Sequence, residues 1–433
     1  MLLQLAFVLI AIIIGARIGG IGLGVLGGLG LGILTFGFGL QPTSPPIDVM
    51  LMIVAVIAAA SCMQAAGGLD LMVKWAEKLL RKNPQRITIL SPFVTYLFTF
   101  IAGTGHVAYS VLPVIAEVAT ETKIRPERPM AIAVIASQQA ITASPISAAT
   151  VAMLSMLSGY HISLMNILMI SVPCTLLGVL AGAIYSLRVG KELDQDPEYL
   201  KRVANHEFST KHYEAKGVEN QMKAALSVSI FVLATIAIVI FGSMESLRPV
   251  FTVGTEKVSM QMSHIIEVLM LTASAFILLF TKTDGIKAAQ GSVFSAGMQA
   301  VVAIFGIAWM GDTFIAGNMT ELKGSIEHIV TQMPWLFGLA LFVMSILLFS
   351  QAATIRALLP LGIALGISPY MLIALFPAVN GYFFIPTVVA AINFDRTGTT
   401  RIGKYILNHS FMMPGLIATG VSVGLGLLFI QFI

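Results

Sequence analysis

The chain has 433 residues, 57% hydrophobic and 11% charged, with 25 basic and 21 acidic side chains. A mean hydropathy of +0.90 excludes a soluble globular domain and defines a polytopic membrane protein. No block of charge marks a nucleic-acid surface, and Cys62 and Cys174 both lie in apolar runs, which points to neither a disulfide framework nor a metal site.

In chain order, apolar runs long enough or nearly long enough to span predict transmembrane helices over 2–14, 20–40, 49–66, 163–187, 224–242, 263–281, 292–310 and 411–433. A span takes about 20 residues. The first run is short and extends to Arg17; with no basic segment before it, it reads as a retained helix rather than a signal peptide. Four further apolar segments are interrupted by polar residues. Segments 87–120 and 334–366 predict re-entrant hairpins, with tips at Gly103-Thr104-Gly105-His106 and Ser350-Gln351-Ala352-Ala353-Thr354. Segments 129–157 and 369–394 predict broken spanning helices, interrupted at Ala143-Ser144-Pro145-Ile146-Ser147 and Ile385-Pro386-Thr387. Polar backbone inside hydrocarbon is tolerated only where it lines a cavity or is buried in protein. A pair of such interruptions in each half points to a transporter site between two repeats.

Lys and Arg set the orientation. With the N-terminus outside, 21 of the 25 basic residues fall on the cytoplasmic side, and both termini are external. The exceptions are Arg248, Lys257, Lys323 and Arg356. The same threading makes 1–187 and 224–433 two repeats of inverted topology, each with three spans, a hairpin, a broken span and a final span. Segment 188–223 carries seven basic and seven acidic residues and reads as a cytoplasmic linker with some amphipathic helix. Segment 313–331 has one polar and one apolar face and is expected along the outer interface. The expected fold is thus all-α, with two inverted repeats.

Gly22-Leu23-Gly24-Val25-Leu26-Gly27 fits a dinucleotide-binding pattern, but it sits inside an uninterrupted apolar span and reads as a close helix contact through small residues. The first hairpin tip is different. Gly103 and Gly105 allow a sharp turn, Thr104 offers a hydroxyl, and a helix expected from Val107 offers free N–H groups to an anion. For His106 three roles are open: donor to a carboxylate, carrier of a coupling proton, or helix cap. The second tip offers Ser350, Gln351 and Thr354 ahead of another helix start. Arg356 follows inside the same apolar hairpin, where a buried guanidinium matches a carboxylate. At the breaks, Pro145 and Pro386 remove helix hydrogen bonds, while Ser144, Ser147 and Thr387 present hydroxyls. Gln138, Gln139, Thr142 and Asn380 add polarity nearby. Glu117 and Asp312 fall near the membrane surfaces, and Glu267 and His264 share a helix face; these four are left out of the expected site. No metalloprotease, Ser-His-Asp or Walker A pattern supports an enzyme, and no cofactor or metal is expected.

The stretches GARIGGIGLG (15–24), GGLD (67–70), AEKLLRKNP (76–84), GTGHVAYSVLP (103–113), RPERPMA (125–131) and ITASPISAA (141–149) form one set of motifs. GIAWMGDT (306–313), SQAAT (350–354), FDRTGTTRIGK (394–404) and NHSFMMPG (408–415) extend it through the second half. Nearly end to end, they resemble the anaerobic C4-dicarboxylate transporters of the Dcu family, DcuA/DcuB type. GTGH, RPERPMA and LRPVF (247–251) resemble the DcuB-like branch more. The resemblance implies fumarate, malate, aspartate and succinate as substrates, and fumarate/succinate exchange in anaerobic fumarate respiration or uptake with a cation. It further implies an ion-transporter-type fold with scaffold and transport domains, an elevator motion, a homodimer in a bacterial inner membrane and, for some members, a membrane sensor kinase as partner. One departure stands out: Pro386-Thr387 runs straight into Val388-Val389, a shorter break than the family pattern. It keeps a transport-defective sensor or regulatory partner as an alternative to a transporter. The expected substrate site comprises Thr104, Gly105, His106, Ser144, Pro145, Ser147, Ser350, Gln351, Thr354, Arg356 and Thr387.

Overall fold

In an apolar solvent every backbone N–H and C=O must be paired inside its own segment, so the apolar runs fold as helices. The computed structural model describes residues 1–18, 20–205, 217–218, 220–253, 256–318, 321, 333–348, 350–384, 395–400 and 409–432. In the first half α1 (Leu2–Ile18), α2 (Gly22–Gly32, prolonged by a π turn over Ile33–Gly37) and α3 (Ile47–Ala65) match the first three expected spans. Next come α4 (Gly68–Lys82), a helical hairpin of α5 (Ile87–Ala102) and α6 (Leu112–Glu121), an interrupted helix of α7 (Glu127–Ile141) and α8 (Ala148–Leu157), and α9 (Leu164–Ser186). The linker holds the short α10 (Pro197–Ala204).

The second half begins after the linker. Its first spans are α11 (Gln221–Ser243) and α12 (Met262–Thr281), then a short α13 (Gly285–Ala289) and the long α14 (Ser292–Gly317). A hairpin of α15 (Leu336–Leu348) and α16 (Gln351–Ala364) precedes α17 (Pro369–Leu375), which tightens into a 3-10 stretch over Phe376–Phe384; α18 (Met412–Phe429) is the last span. Among the described residues, seven helices are long and apolar enough to cross a membrane, including the segment Pro84–Ala102 that holds the first hairpin arm. The break at Pro386-Thr387 and most of the amphipathic segment 313–331 lie outside the described residues. Three described elements were not expected: α4, the short α13, and an antiparallel hairpin of β1 (Val250–Val253) and β2 (Glu256–Ser259) that pairs Phe251 with Val258.

Packing is reciprocal between the halves. Helix α3 packs on α12 as α2 packs on α14, and α1 packs on α2 as α11 packs on α12. Helix α7 packs on α9 as Phe376–Phe384 packs on α18; α3 meets α14 and α9 meets α18. The α2–α14 crossing explains the glycines at 22–27. A Cβ on Gly24 would fall 2.0 Å from the Val302 carbonyl oxygen, and one on Gly306 only 1.7 Å from that of Gly24. Nothing but glycine lets the two backbones approach so closely. Gln64 ties the start of α14 to α3, donating to Ser292 Oγ at 2.7 Å and accepting the Val293 N–H at 3.1 Å.

Each hairpin closes on itself. Arg81, at the end of α4, pairs with Glu117 at 3.2 Å and Glu121 at 2.8 Å, so the return arm α6 ends beside the start of α5. A Cβ on Gly362, late in α16, would lie 2.8 Å from Phe337 Cζ at the start of α15. Ser91 and Thr95 on α5 donate across to the Pro129 and Ala133 carbonyls of α7 at 3.2 and 2.7 Å, fixing the arm against the interrupted helix.

The linker is not free. Arg125 pairs with Asp196, which also caps α10 through the Glu198 and Tyr199 N–H groups at 3.0 and 3.1 Å. Burial alone would raise the Asp196 carboxyl; the Tyr199 N–H, the Arg125 guanidinium and the Glu198 N–H outweigh it and hold it below its ordinary value of 3.8. A depressed carboxyl contributes stability that is fully present above the unfolded value and is lost as pH falls through the folded one. Amides of α10 should therefore keep their hydrogen-exchange protection at neutral and mildly acid pH and lose it only below 3.8. At the helix crossing, Gly306→Val should lower stability by about 1–3 kcal/mol or more through forced backbone shifts. Gly28→Val, with open space at its Cβ, should leave it unchanged; thermal unfolding in detergent separates the two.

Candidate functional site

The first tip turns at Gly103, whose φ of +71° is a left-handed conformation that glycine adopts without penalty. A side chain there would meet Ile146 Cγ1 at 3.0 Å, so the tip rests on the first helix break. A Cβ on Gly105 would meet Gln138 Nε2 at 2.8 Å. The helix expected from Val107 is instead a 3-10 turn over Gly105–Ser110, and α6 begins only at Leu112. Thr104 lines an apolar cavity of about 90 Å³ between the tip, α3 and α14, walled by Ile53, Ile57, Ile146 and Gly297 among others. The His106 side chain lies outside the described set.

The second tip reaches the same place. Ser350 caps α16, accepting the Ala353 N–H at 3.2 Å. Gln351 donates from Nε2 to the Gln138 carbonyl at 3.2 Å and to Asn380 Oδ1 at 2.7 Å. Asn380 donates in turn to Gln139 Oε1 and to the Pro377 carbonyl, each at 3.1 Å, and Gln139 donates to Thr419 Oγ1 at 2.9 Å. A chain of carboxamides thus joins the second tip, both interrupted helices and the last span. Gln138 stands about 16 Å along α7 from Glu127, and Ser350 about 21 Å along α16 from Ala364, taking 1.5 Å per residue. The meeting point is deep inside the bundle.

Three expected hydroxyls are spent on the backbone. Ser144 donates to the Phe100 carbonyl at 2.7 Å, binding the break to the hairpin arm. Ser147 donates to the Ile141 carbonyl at 2.5 Å and accepts the Thr150 N–H at 3.1 Å, which carries the chain across the gap at Pro145 and starts α8. Thr354 donates to the Ser350 carbonyl at 2.7 Å. Arg356 is 8% exposed, and its Nε has no hydrogen-bond partner among the described residues; the same holds for Oδ1 of Asp312 on the facing α14. Thr387 lies outside the described residues. Among those described, no group of three or more His, Cys, Asp or Glu side chains is placed to hold a metal ion.

Sequence reasoning noted Gln138, Gln139 and Asn380 as local polarity but did not set them in the site, and it missed Thr419. The available signal was an amide pair placed just before a Ser-Pro break and a lone asparagine in an apolar run.

Interrupted helices and hairpin tips meeting in a buried polar core within an apolar bundle are the architecture of a polytopic membrane transporter. Comparison with known proteins agrees. The model of the family described as anaerobic C4-dicarboxylate membrane transporters (DcuA_DcuB) matches residues 1–433, and the chain belongs to that family. It is 43% identical over 439 residues to the anaerobic C4-dicarboxylate transporter DcuB of Escherichia coli O157:H7, covering 99% of this chain and 98% of that one. It is 43% identical to the C4-dicarboxylate transporter DcuA of Wolinella succinogenes, covering 98% of this chain and 97% of that one. Against DcuA of Escherichia coli K12 the identity is 42%, with 98% of each chain covered. These are membrane transporters rather than enzymes.

Removing one amide strands the others. Asn380→Ala leaves Gln139 Oε1 without a partner and Gln351 Nε2 with only the Gln138 carbonyl, and each buried hydrogen bond left unmade in this way costs about 1–3 kcal/mol. The variant should unfold at lower temperature in detergent by that order, whereas Gln299→Ala, on the exposed face of α14, should not.

Proposed function

We propose that the chain is a secondary transporter that exchanges C4-dicarboxylates, fumarate against succinate, by an elevator-type alternating-access motion. The observation that carries this reading is the hydrogen bond from Gln351 of one half to Gln138 of the other, beside Gly105. It supports a single binding region where both tips and both interruptions converge. The reciprocal packing of α2–α14 and α3–α12 supports two repeats, 1–187 and 224–433, of inverted topology. The pinned hairpin ends at Arg81 and at Phe337 support re-entrance from opposite faces. The relatives' names supply the dicarboxylate; malate and aspartate belong to the same substrate class. The charge pattern supports an inner-membrane protein with both termini outside. Assembly as a homodimer and contact with a membrane sensor kinase belong to the same family-based reading.

In the site, the two substrate carboxylates are shared between the tips. The hydroxyls of Ser144, Ser147 and Thr354 hold the backbone in shape, with Pro145 opening the break. Direct contacts then fall to Thr104, the backbone at Gly105, His106, the first N–H groups of α16 at Ser350 and Gln351, and the Arg356 guanidinium, with Thr387 completing the second break. A helix start offers unpaired N–H groups and a partial positive charge, and a guanidinium offers a matching fork.

The test is exchange in liposomes. Labelled succinate uptake should be strongly stimulated by internal fumarate in Na⁺-free buffer. Uptake that needs Na⁺ would replace exchange with cation-coupled transport. Binding without uptake would make the chain a sensor or regulatory partner. Thr104→Val should raise the apparent KM about tenfold, the equivalent of one lost hydrogen bond, with normal protein in the membrane. An unchanged KM would take Thr104 out of the site.

A further inference from the structure

A segment that only had to join two halves would not need buried charge, yet residues 189–202 are bound into both. On the first half, Arg125 is 7% exposed and lies between two carboxylates, donating to Glu127 at 2.6 Å and pairing with Asp196 of the linker. Arg128, at the start of α7, donates to the Val189 carbonyl at 2.8 Å, the Gly190 carbonyl at 3.1 Å and Glu192 at 3.0 Å. Gly190 lies so close that a Cβ there would sit 2.5 Å from Arg125 Nε. On the second half, Arg202 of α10 donates to the Arg396 carbonyl at 3.1 Å, and a Cβ on Gly398 would fall 2.6 Å from the Arg202 guanidinium carbon. The two halves are also tied directly. Glu127 accepts from Ser410 at 2.6 Å, and its N–H donates to Thr399 at 3.3 Å. Thr399 and the Thr400 N–H bond Asp395 in turn, at 2.8 and 2.5 Å.

Every one of these contacts ends on α7 or on the residues flanking the second interrupted helix and the start of α18. None of them reaches α2, α3, α12 or α14. A charge buried between fixed partners is strongly penalised when one partner leaves, so such a network holds its members as one body. Helix α7 thus has the network at its Glu127 end and Gln138 and Gln139 at the other.

We propose that residues 189–202 are a brace that travels with the interrupted helices rather than a hinge between fixed and moving parts. Arg125 and Asp196 are its positioning residues: they set the angle of α7 and hence the place of the carboxamide chain. The inference rests on the transport reading above.

Lys123 and Asp194 report on it from outside the network. Their charged groups stand 3.6 Å apart across the junction of linker and α7, and both side chains are mostly exposed. The double variant Lys123→Cys, Asp194→Cys is reconstituted and its fumarate-stimulated succinate uptake measured before and after a short bifunctional maleimide. Cys62 and Cys174, both buried, are the only native thiols. The brace predicts exchange within twofold after complete cross-linking. Arrest on cross-linking would show that the linker slides against α7 and would overturn the proposal. Absence of exchange before cross-linking would sink the transport reading, and the brace with it. In parallel, Asp196→Asn should lower turnover about tenfold with KM within twofold, and Asp196→Glu should restore most of it. Wild-type turnover in Asp196→Asn would remove the positioning role.

Discussion

A carboxamide can donate and accept at once, and the interior of this bundle is organised around that fact. Where the two tips and the gap between α7 and α8 interrupt helices inside apolar protein, backbone groups are freed and cannot be left bare. Ionised side chains could meet them, but each would carry a large desolvation cost. Gln351, Asn380 and Gln139 do it without formal charge: Gln351 donates to the Gln138 backbone carbonyl and to Asn380, Asn380 to Gln139, and Gln139 to Thr419 on α18, which ends the chain. Serine and threonine hydroxyls at the breaks act alongside them as local caps. This one set of bonds joins the second tip, α7 and α18 at a single buried point.

The helices of the scaffold obey a different rule. Lipid offers no hydrophobic drive for one helix to seek another, so close approach and van der Waals contact decide which surfaces meet. Gly24, Gly27 and Gly306 bring α2 and α14 into backbone contact, and Gly178 and Gly182 do the same for α9 against α18. The polar core is thus framed by contacts that need small residues and no polar ones.

Much of this was legible in the sequence, because the signals were local. The expected apolar runs folded as helices, with α14 running seven residues past its expected end to Gly317, and the chain turns at Gly103 and starts α16 just after Ser350. The glycine run at 22–27 was readable as a packing surface for the same reason. What escaped depended on tertiary partners. Nothing in the order of residues says that Gln351 meets Gln138, or that Thr419 closes the chain. Helix α4 was hidden because its amphipathic face, with Leu69, Val73, Ala76 and Leu80 buried, was read only as a cluster of basic charge. The strands β1 and β2 were passed over although Val-Phe-Thr-Val and Glu-Lys-Val-Ser are separated by two residues of which the first is glycine, a sequence pattern that favours a two-residue hairpin. Ser144, Ser147 and Thr354 were read as facing a ligand; their acceptors proved to be backbone carbonyls, those of Phe100, Ile141 and Ser350.

The neutrality of the carboxamide chain has an electrical consequence. A neutral carboxamide chain moves no charge when the core changes the side to which it opens, and the fixed charge of Arg356 returns with the protein in each cycle. On the proposed reading, a dicarboxylate dianion would carry its two charges across unaided, and an inside-negative potential of 100 mV would oppose its entry by about 4.6 kcal/mol, at ~2.3 kcal/mol per charge. One dianion leaving for each that enters cancels that work. Such a core is indifferent to voltage in exchange and sharply sensitive to it in net flux, so the membrane potential itself would select the direction in which unpaired substrate moves.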